Sequence, residues 1–247
     1  LSFILALFSK EMALVLPFLL VIDIFRRNRG QRITLKPLYA YFAIMLVYVF
    51  LRATVLNFSI GVNSFIDYGF PAGIPLWKRI LTDFHVVVSY IQLLLFPIGL
   101  HMQRFIRPAN GLFEIGVILP AALIILLVFI VGKLSRANKI FLYSSAWFFV
   151  CLIPVLNIYP ISIFLHEMWL YLPSIGFYIF FSAFIVQIVA RWVNKVIVVL
   201  FIALYVTYCG LTTVSYGRTW HDSMSLFSND LKYEHNSPFR HTLYNNI

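Results

Sequence analysis

Short basic loops divide this chain into seven apolar runs, at 1–25, 37–56, 77–100, 112–132, 139–156, 169–190 and 194–214. Each comes close to the roughly 20 residues that a spanning helix needs. No other feature limits the fold as strongly. Hydrophobic residues make up 62% and charged residues 11%, against roughly 45–50% and 25% in a soluble domain. One water-bounded core cannot hide that many apolar side chains. A soluble enzyme, a disordered tail and a disulfide-rich module are excluded. The runs lack period-two alternation, which argues against a membrane barrel, and helices satisfy their own backbone within lipid. The expected fold is all-α, a polytopic membrane helical bundle of six to seven membrane segments in a lipid bilayer.

Nineteen Lys+Arg stand against nine Asp+Glu, a net charge of +10. In a soluble chain that balance would suggest nucleic acid. Here the cations sit in loops, so topology and anionic lipid account for them and no nucleic-acid partner is expected. Arg26, Arg27, Arg29, Arg32 and Lys36 follow the first run, Lys133, Arg136 and Lys139 the fourth, and Arg191 and Lys195 the sixth. The loop 157–168 carries no Lys or Arg. The positive-inside rule puts the three basic loops in the cytoplasm. Seven crossings cannot satisfy this, and run 77–100 is the one expected to lie at the interface. Its Thr82, His85, Ser89 and Gln92 form a polar stripe with Asp83 beside them. The alternative is that it crosses with the stripe facing other helices.

The tail 215–247 is polar. Trp220, Met224, Phe227 and Leu231 are spaced four, three and four, one face of an amphipathic helix. Asn236-Ser237-Pro238 reads as a second helix start. The chain opens on Leu1 inside an apolar run and stops inside this polar pattern. It reads as a piece of a longer protein. Cys151 and Cys209 sit in apolar runs and read as small core residues.

Lys10 and Glu11 lie within the first run. A charge at the bilayer centre costs roughly 2.5–3.5 kcal/mol on insertion scales. Helix neighbours diverge by about 100°, so these two do not pair with each other. Lys10 is a candidate for a lipid-linked phosphate and Glu11 for orienting a partner; both also fit a link to another helix. His166 and Glu167 open the sixth run, where an imidazole and a carboxylate suit a sugar hydroxyl or a proton transfer. Tyr171 joins them as a polar cavity candidate and, with Trp169, suits the aromatic belt. Arg104 and Arg107, with His101, form a basic cluster suited to a phosphate head group or to an ordinary interfacial loop. Asp23 and Arg27, four apart, suit a surface pair. No metal is assigned, because His166-Glu167 lacks the second histidine of a zinc helix.

Three motifs in order resemble one family. Leu7-Phe8-Ser9-Lys10-Glu11 is similar to its LSKE segment. His166-Glu167-Met168-Trp169-Leu170-Tyr171-Leu172-Pro173-Ser174-Ile175-Gly176 resembles its ERYLYLPSIG segment. Gly217-Arg218-Thr219-Trp220-His221-Asp222-Ser223, then Leu226-Phe227, resembles its junction into tetratricopeptide repeats. The family joins a multispanning glycosyltransferase-C-type domain to such repeats. It includes transmembrane O-mannosyltransferases and bacterial relatives. The resemblance implies residues 1–214 as the C-terminal part of the membrane domain and 215–247 as the junction and first repeat helices. It implies a polyprenyl-phosphate-linked sugar as donor, transfer to an acceptor hydroxyl on the non-cytoplasmic side, and a protein acceptor or partner at the repeats. It brings Arg218 into the donor-phosphate candidates beside Lys10, Arg104 and Arg107. Met168 stands where the family has Arg, which weakens donor binding there. The family's acidic catalytic residue lies in a first outer loop outside this chain, so the piece alone is expected to be inactive. The bacterial inner membrane is the expected location, with the endoplasmic reticulum as alternative. Two other readings are an O-antigen ligase or polymerase and an inactive membrane anchor displaying a repeat domain. A transporter predicts paired halves, and no internal repeat is present.

Overall fold

The structure, a computed structural model, describes residues 1–27, 36–55, 74–158, 163–189 and 193–234. Arg29, Arg32, Arg191, Asp67, the helix start at Asn236-Ser237-Pro238 and the side chain of Arg27 lie outside the described residues. The fold is all-α. Its helices are α1 (Ser2–Ser9), α2 (Leu16–Arg27), α3 (Lys36–Thr54), α4 (Leu76–Leu95), α5 (Ile115–Ala137), α6 (Ile140–Leu152), α7 (Tyr171–Phe184), α8 (Lys195–Gly217) and α9 (Ser223–Glu234). Two short strands, β1 (Gln103–Arg104) and β2 (Leu165–His166), pair antiparallel with Gln103 opposite His166.

The first apolar run is not one helix. Lys10 is extended at φ −156° and ψ 132°, α1 stops before it, and a 3₁₀ turn, Glu11–Val15, leads into α2. Pro17 explains part of the break. It has no N–H to give the carbonyl of Ala13 and its ring crowds that carbonyl, which disfavours a regular α-helix through 13–17. Run 77–100 ends as a helix at Leu95, where Pro97 disfavours helical backbone at Phe96. Pro120 sits within the continuous α5.

Among the described residues, three helices are long and apolar enough to cross a membrane: Ile115–Ala137, Glu167–Gln187 and Lys195–Trp220. Only 11% and 6% of the first and third of these spans is buried inside the protein. Such bare apolar faces suit lipid rather than water. Leu38–Arg52 and Ile140–Val155 are apolar but shorter.

The core forms around α4. Its Val86, Val87, Tyr90, Leu93 and Leu94 pack with Phe148 and Leu152 of α6 and with Phe164 and Leu165. The apolar face of α4 is therefore covered by protein. Helices α6 and α7 form an antiparallel pair at close range, and Cys151 is buried beside α2. A Cβ on Gly176 would stand 2.6 Å from the Ser144 carbonyl oxygen and 2.7 Å from the Phe148 nitrogen. Only glycine allows that approach. The hydroxyls of Tyr178 and Tyr205 donate to the Leu94 carbonyl at 3.1 and 2.8 Å, tying α7 and α8 to the end of α4.

Candidate functional site

The break in the first run leaves two adjacent charges in different situations. Glu11 forms an ion pair with Arg52 of α3 at 2.6 Å, and Arg52 also donates to the Tyr48 hydroxyl at 3.0 Å. Lys10 has no ion pair among the described residues. Its charge reaches His166, which is buried at the end of β2. His166 Nδ1 accepts from the Met168 N–H at 3.4 Å, so the neutral ring carries its proton on Nε2. Burial first, and the Lys10 charge second, push the His166 imidazole down from 6.5 to about 4. At pH 7 the His166 imidazole is therefore neutral.

A second group forms where the chain turns after α4. Gly99, at φ +62°, lets the backbone turn back. Glu167 Oε1 then receives three donors: Arg104 Nη2 at 2.6 Å, Arg104 Nε at 2.9 Å and the His101 backbone N–H at 3.0 Å. Arg104 Nη2 also donates to the Gly99 carbonyl at 2.7 Å. The ion pair is largely covered, with 21% and 14% side-chain exposure. Arg104 and Glu167 thus neutralise each other. The tail helix closes over this turn. Asp230 accepts from the Met102 N–H at 2.9 Å, Asn229 donates to the Leu100 carbonyl at 3.0 Å, and Tyr233 stacks on His101 at 4.9 Å.

The sequence candidates therefore separate. The Lys10 charge acts on His166, and no hydrogen bond or ion pair joins them among the described residues. Arg104 and Glu167 come together and satisfy one another. Glu11 is held by Arg52. Arg107, Arg218 and Tyr171 are exposed, and no described contact brings them to Lys10. Asp23 accepts from Arg26 at 3.0 Å, three residues on, and the side chain of Arg27, the expected partner, lies outside the described residues. On the amphipathic face of the tail, Phe227 and Leu231 pack on the core while Trp220 and Met224 stay exposed. Asp222 caps α9 by accepting from the Ser225 N–H at 2.7 Å, which holds its carboxyl below the usual carboxylate range.

Sequence reasoning missed Arg52, Tyr90 and Asp230. Arg52 left a signal, a single cation ending an apolar run. Tyr90 left none, although its hydroxyl accepts from the His166 N–H at 3.3 Å and lies 3.4 Å from the His166 carbonyl. Asp230 sits on the polar side of the tail helix and reads as solvated until the turn 99–104 is placed against it.

The His166 environment predicts a pH effect. The unfolded chain takes up its proton near pH 6.5 and the folded chain near 4. Stability from the neutral ring is complete above about pH 6.5 and is lost as pH falls toward 4. The melting temperature of the protein in detergent should fall across that window, and His166→Asn, which keeps a capping acceptor without titrating, should flatten the fall. An equal pH slope in wild type and His166→Asn would show that His166 is not its source.

Comparison with known protein families, with curated proteins and with solved structures returns no match for this chain.

Proposed function

We propose that this chain is the membrane part of a glycosyltransferase. It would take a sugar from a polyprenyl-phosphate donor to an acceptor hydroxyl on the non-cytoplasmic side of a multi-pass membrane domain of six to seven segments. The tail from residue 215 would lead into a tetratricopeptide-like repeat domain. The observation that carries the reading is Lys10, without an ion pair among the described residues, at the break of an apolar helix, its charge acting on the neutral His166. Broken helices within membranes mark ligand sites, and an unpaired intramembrane charge is expected to serve function. The order of the LSKE-like, LYLPSIG and R-x-W-x-D segments supports the same reading.

In the proposed reaction the acceptor oxygen bonds to the anomeric carbon. The bond from that carbon to the phosphate oxygen breaks, and its electron pair leaves with the phosphate. Lys10 would hold that phosphate as a point charge, strongest where negative charge grows in the transition state. With its low pKa, His166 would donate a hydrogen bond from Nε2–H and not a proton. The base that takes the acceptor proton is, by the family resemblance, an acidic residue outside this chain. A second reading, an inactive membrane anchor for the repeats, is favoured by one feature. Arg104 is tied to Glu167, and Met168 is exposed where the family has Arg.

Lys10→Ala in the full-length protein should weaken binding of polyprenyl-phosphate mannose or glucose by roughly 10- to 100-fold, the worth of a charged hydrogen bond. Lys10→Arg should retain much of it. Titration of lipid donor into folded protein in nanodiscs measures both. Undiminished binding by folded Lys10→Ala protein would remove Lys10 from the site and favour the anchor.

A further inference from the structure

We propose that the cavity along the C-terminal half of α4 binds a neutral saccharide. The polar stripe of this helix divides in two. Thr82 is satisfied, donating to the Lys78 carbonyl at 2.7 Å and accepting from the Ala109 N–H at 3.0 Å. The side chains of His85, Ser89 and Gln92 have no hydrogen-bond partner among the described residues. All three line one cavity of about 330 Å³, together with Arg104, Phe96 and Phe105. His85 and Gln92 are exposed and Ser89 is half-buried, so the three present donors and acceptors from one helical face to whatever enters the cavity.

The charge state selects the class of occupant. Arg104 is the cation in the lining, and Glu167 already compensates it. A phosphate would find little net attraction there, whereas the Lys10 site offers an uncompensated cation. A neutral polyhydroxyl ligand suits the lining better. The Gln92 amide can donate and accept toward adjacent hydroxyls, Ser89 and His85 add further bonds, and the two phenylalanines offer apolar surface to the C–H face of a sugar ring. A lipid chain fits elsewhere. The cavity of about 480 Å³ between α7 and α8, lined by Tyr178, Phe181, Ile185 and Phe201, is dominated by apolar side chains. The inference rests on the transferase reading for its biological sense, since the saccharide would be the sugar end of donor or acceptor.

The test uses the full-length protein in nanodiscs, titrated by calorimetry with free mannobiose, maltose and chitobiose. Polyprenyl phosphate without sugar is titrated in parallel. At least one disaccharide should bind saturably. Gln92→Leu and Ser89→Ala should each weaken that binding about tenfold, the worth of one lost hydrogen bond, while polyprenyl-phosphate affinity stays at the wild-type value. If Gln92→Leu fails to fold, Ser89→Ala decides, because it removes a single hydroxyl. Lys10→Ala should do the reverse, losing phosphate affinity and keeping saccharide affinity. Absence of disaccharide binding, or binding indifferent to both α4 substitutions, overturns the inference even where Lys10-dependent phosphate binding persists. Saccharide binding that depends on Gln92, without any phosphate binding, overturns the transferase reading and leaves the cavity assignment standing.

Discussion

Glu167→Ala is expected to destabilise the protein by about 3 kcal/mol, the lower end of the range for breaking a buried ion pair, because both partners keep some exposure. The loss falls on more than one bond. Arg104 would keep a covered guanidinium with only the Gly99 carbonyl opposite it, and the His101 N–H would lose its acceptor. The turn 99–104 would loosen, and with it the seat of α9 through Asp230, Asn229 and Tyr233. Thermal melting in detergent reads the loss. Replacing both partners together, Glu167→Leu with Arg104→Met, should recover most of it, since no unpaired charge then remains. A loss for Glu167→Ala no larger than for the exposed Arg107→Ala would mean that the pair does not hold the turn.

Gly176→Ala is the second large effect, at about 2–3 kcal/mol. The added methyl would meet backbone atoms of α6 at 2.6 and 2.7 Å, which cannot swing aside as a side-chain end can. Helices α6 and α7 must separate, and the bond from Trp147 Nε1 to the Leu172 carbonyl at 3.1 Å stretches with them. Gly132→Ala provides the control, because no atom lies within 4 Å of its Cβ position. That change should be neutral or slightly stabilising, by up to about 1 kcal/mol of helix propensity. Equal melting temperatures for the two variants would contradict the close α6–α7 packing.

Helix positions were legible in the sequence because an apolar run of helical length has few other stable forms. One end was readable where a residue type forces it, at Pro97. The break at Lys10 was less legible. A charged pair inside an apolar run announces a conflict, but only the backbone shows that the conflict is resolved by extending one residue. Pro17, seven residues on, carried the other half of the signal. The site itself was half legible. Lys10, Arg104, His166 and Glu167 stood out by residue type. Their pairing did not, because Arg104 and Glu167 are 63 residues apart and nothing local says which cation meets which carboxylate. The stripe on α4 showed the same limit. Spacing revealed one polar face, and the neighbours Ala109 and Arg104 decided that Thr82 is structural while His85, Ser89 and Gln92 face open space.

The central claim is that Lys10 serves a lipid-linked phosphate during sugar transfer. The most direct measurement is transfer itself. Membranes carrying the full-length protein, or its Lys10→Ala variant at equal folded amount, are given radiolabelled polyprenyl-phosphate sugars, and label in protein and glycan is counted. The account predicts transfer by the wild type that falls at least about tenfold in the variant. Transfer that is equal in both, or absent from both with every donor, would contradict it.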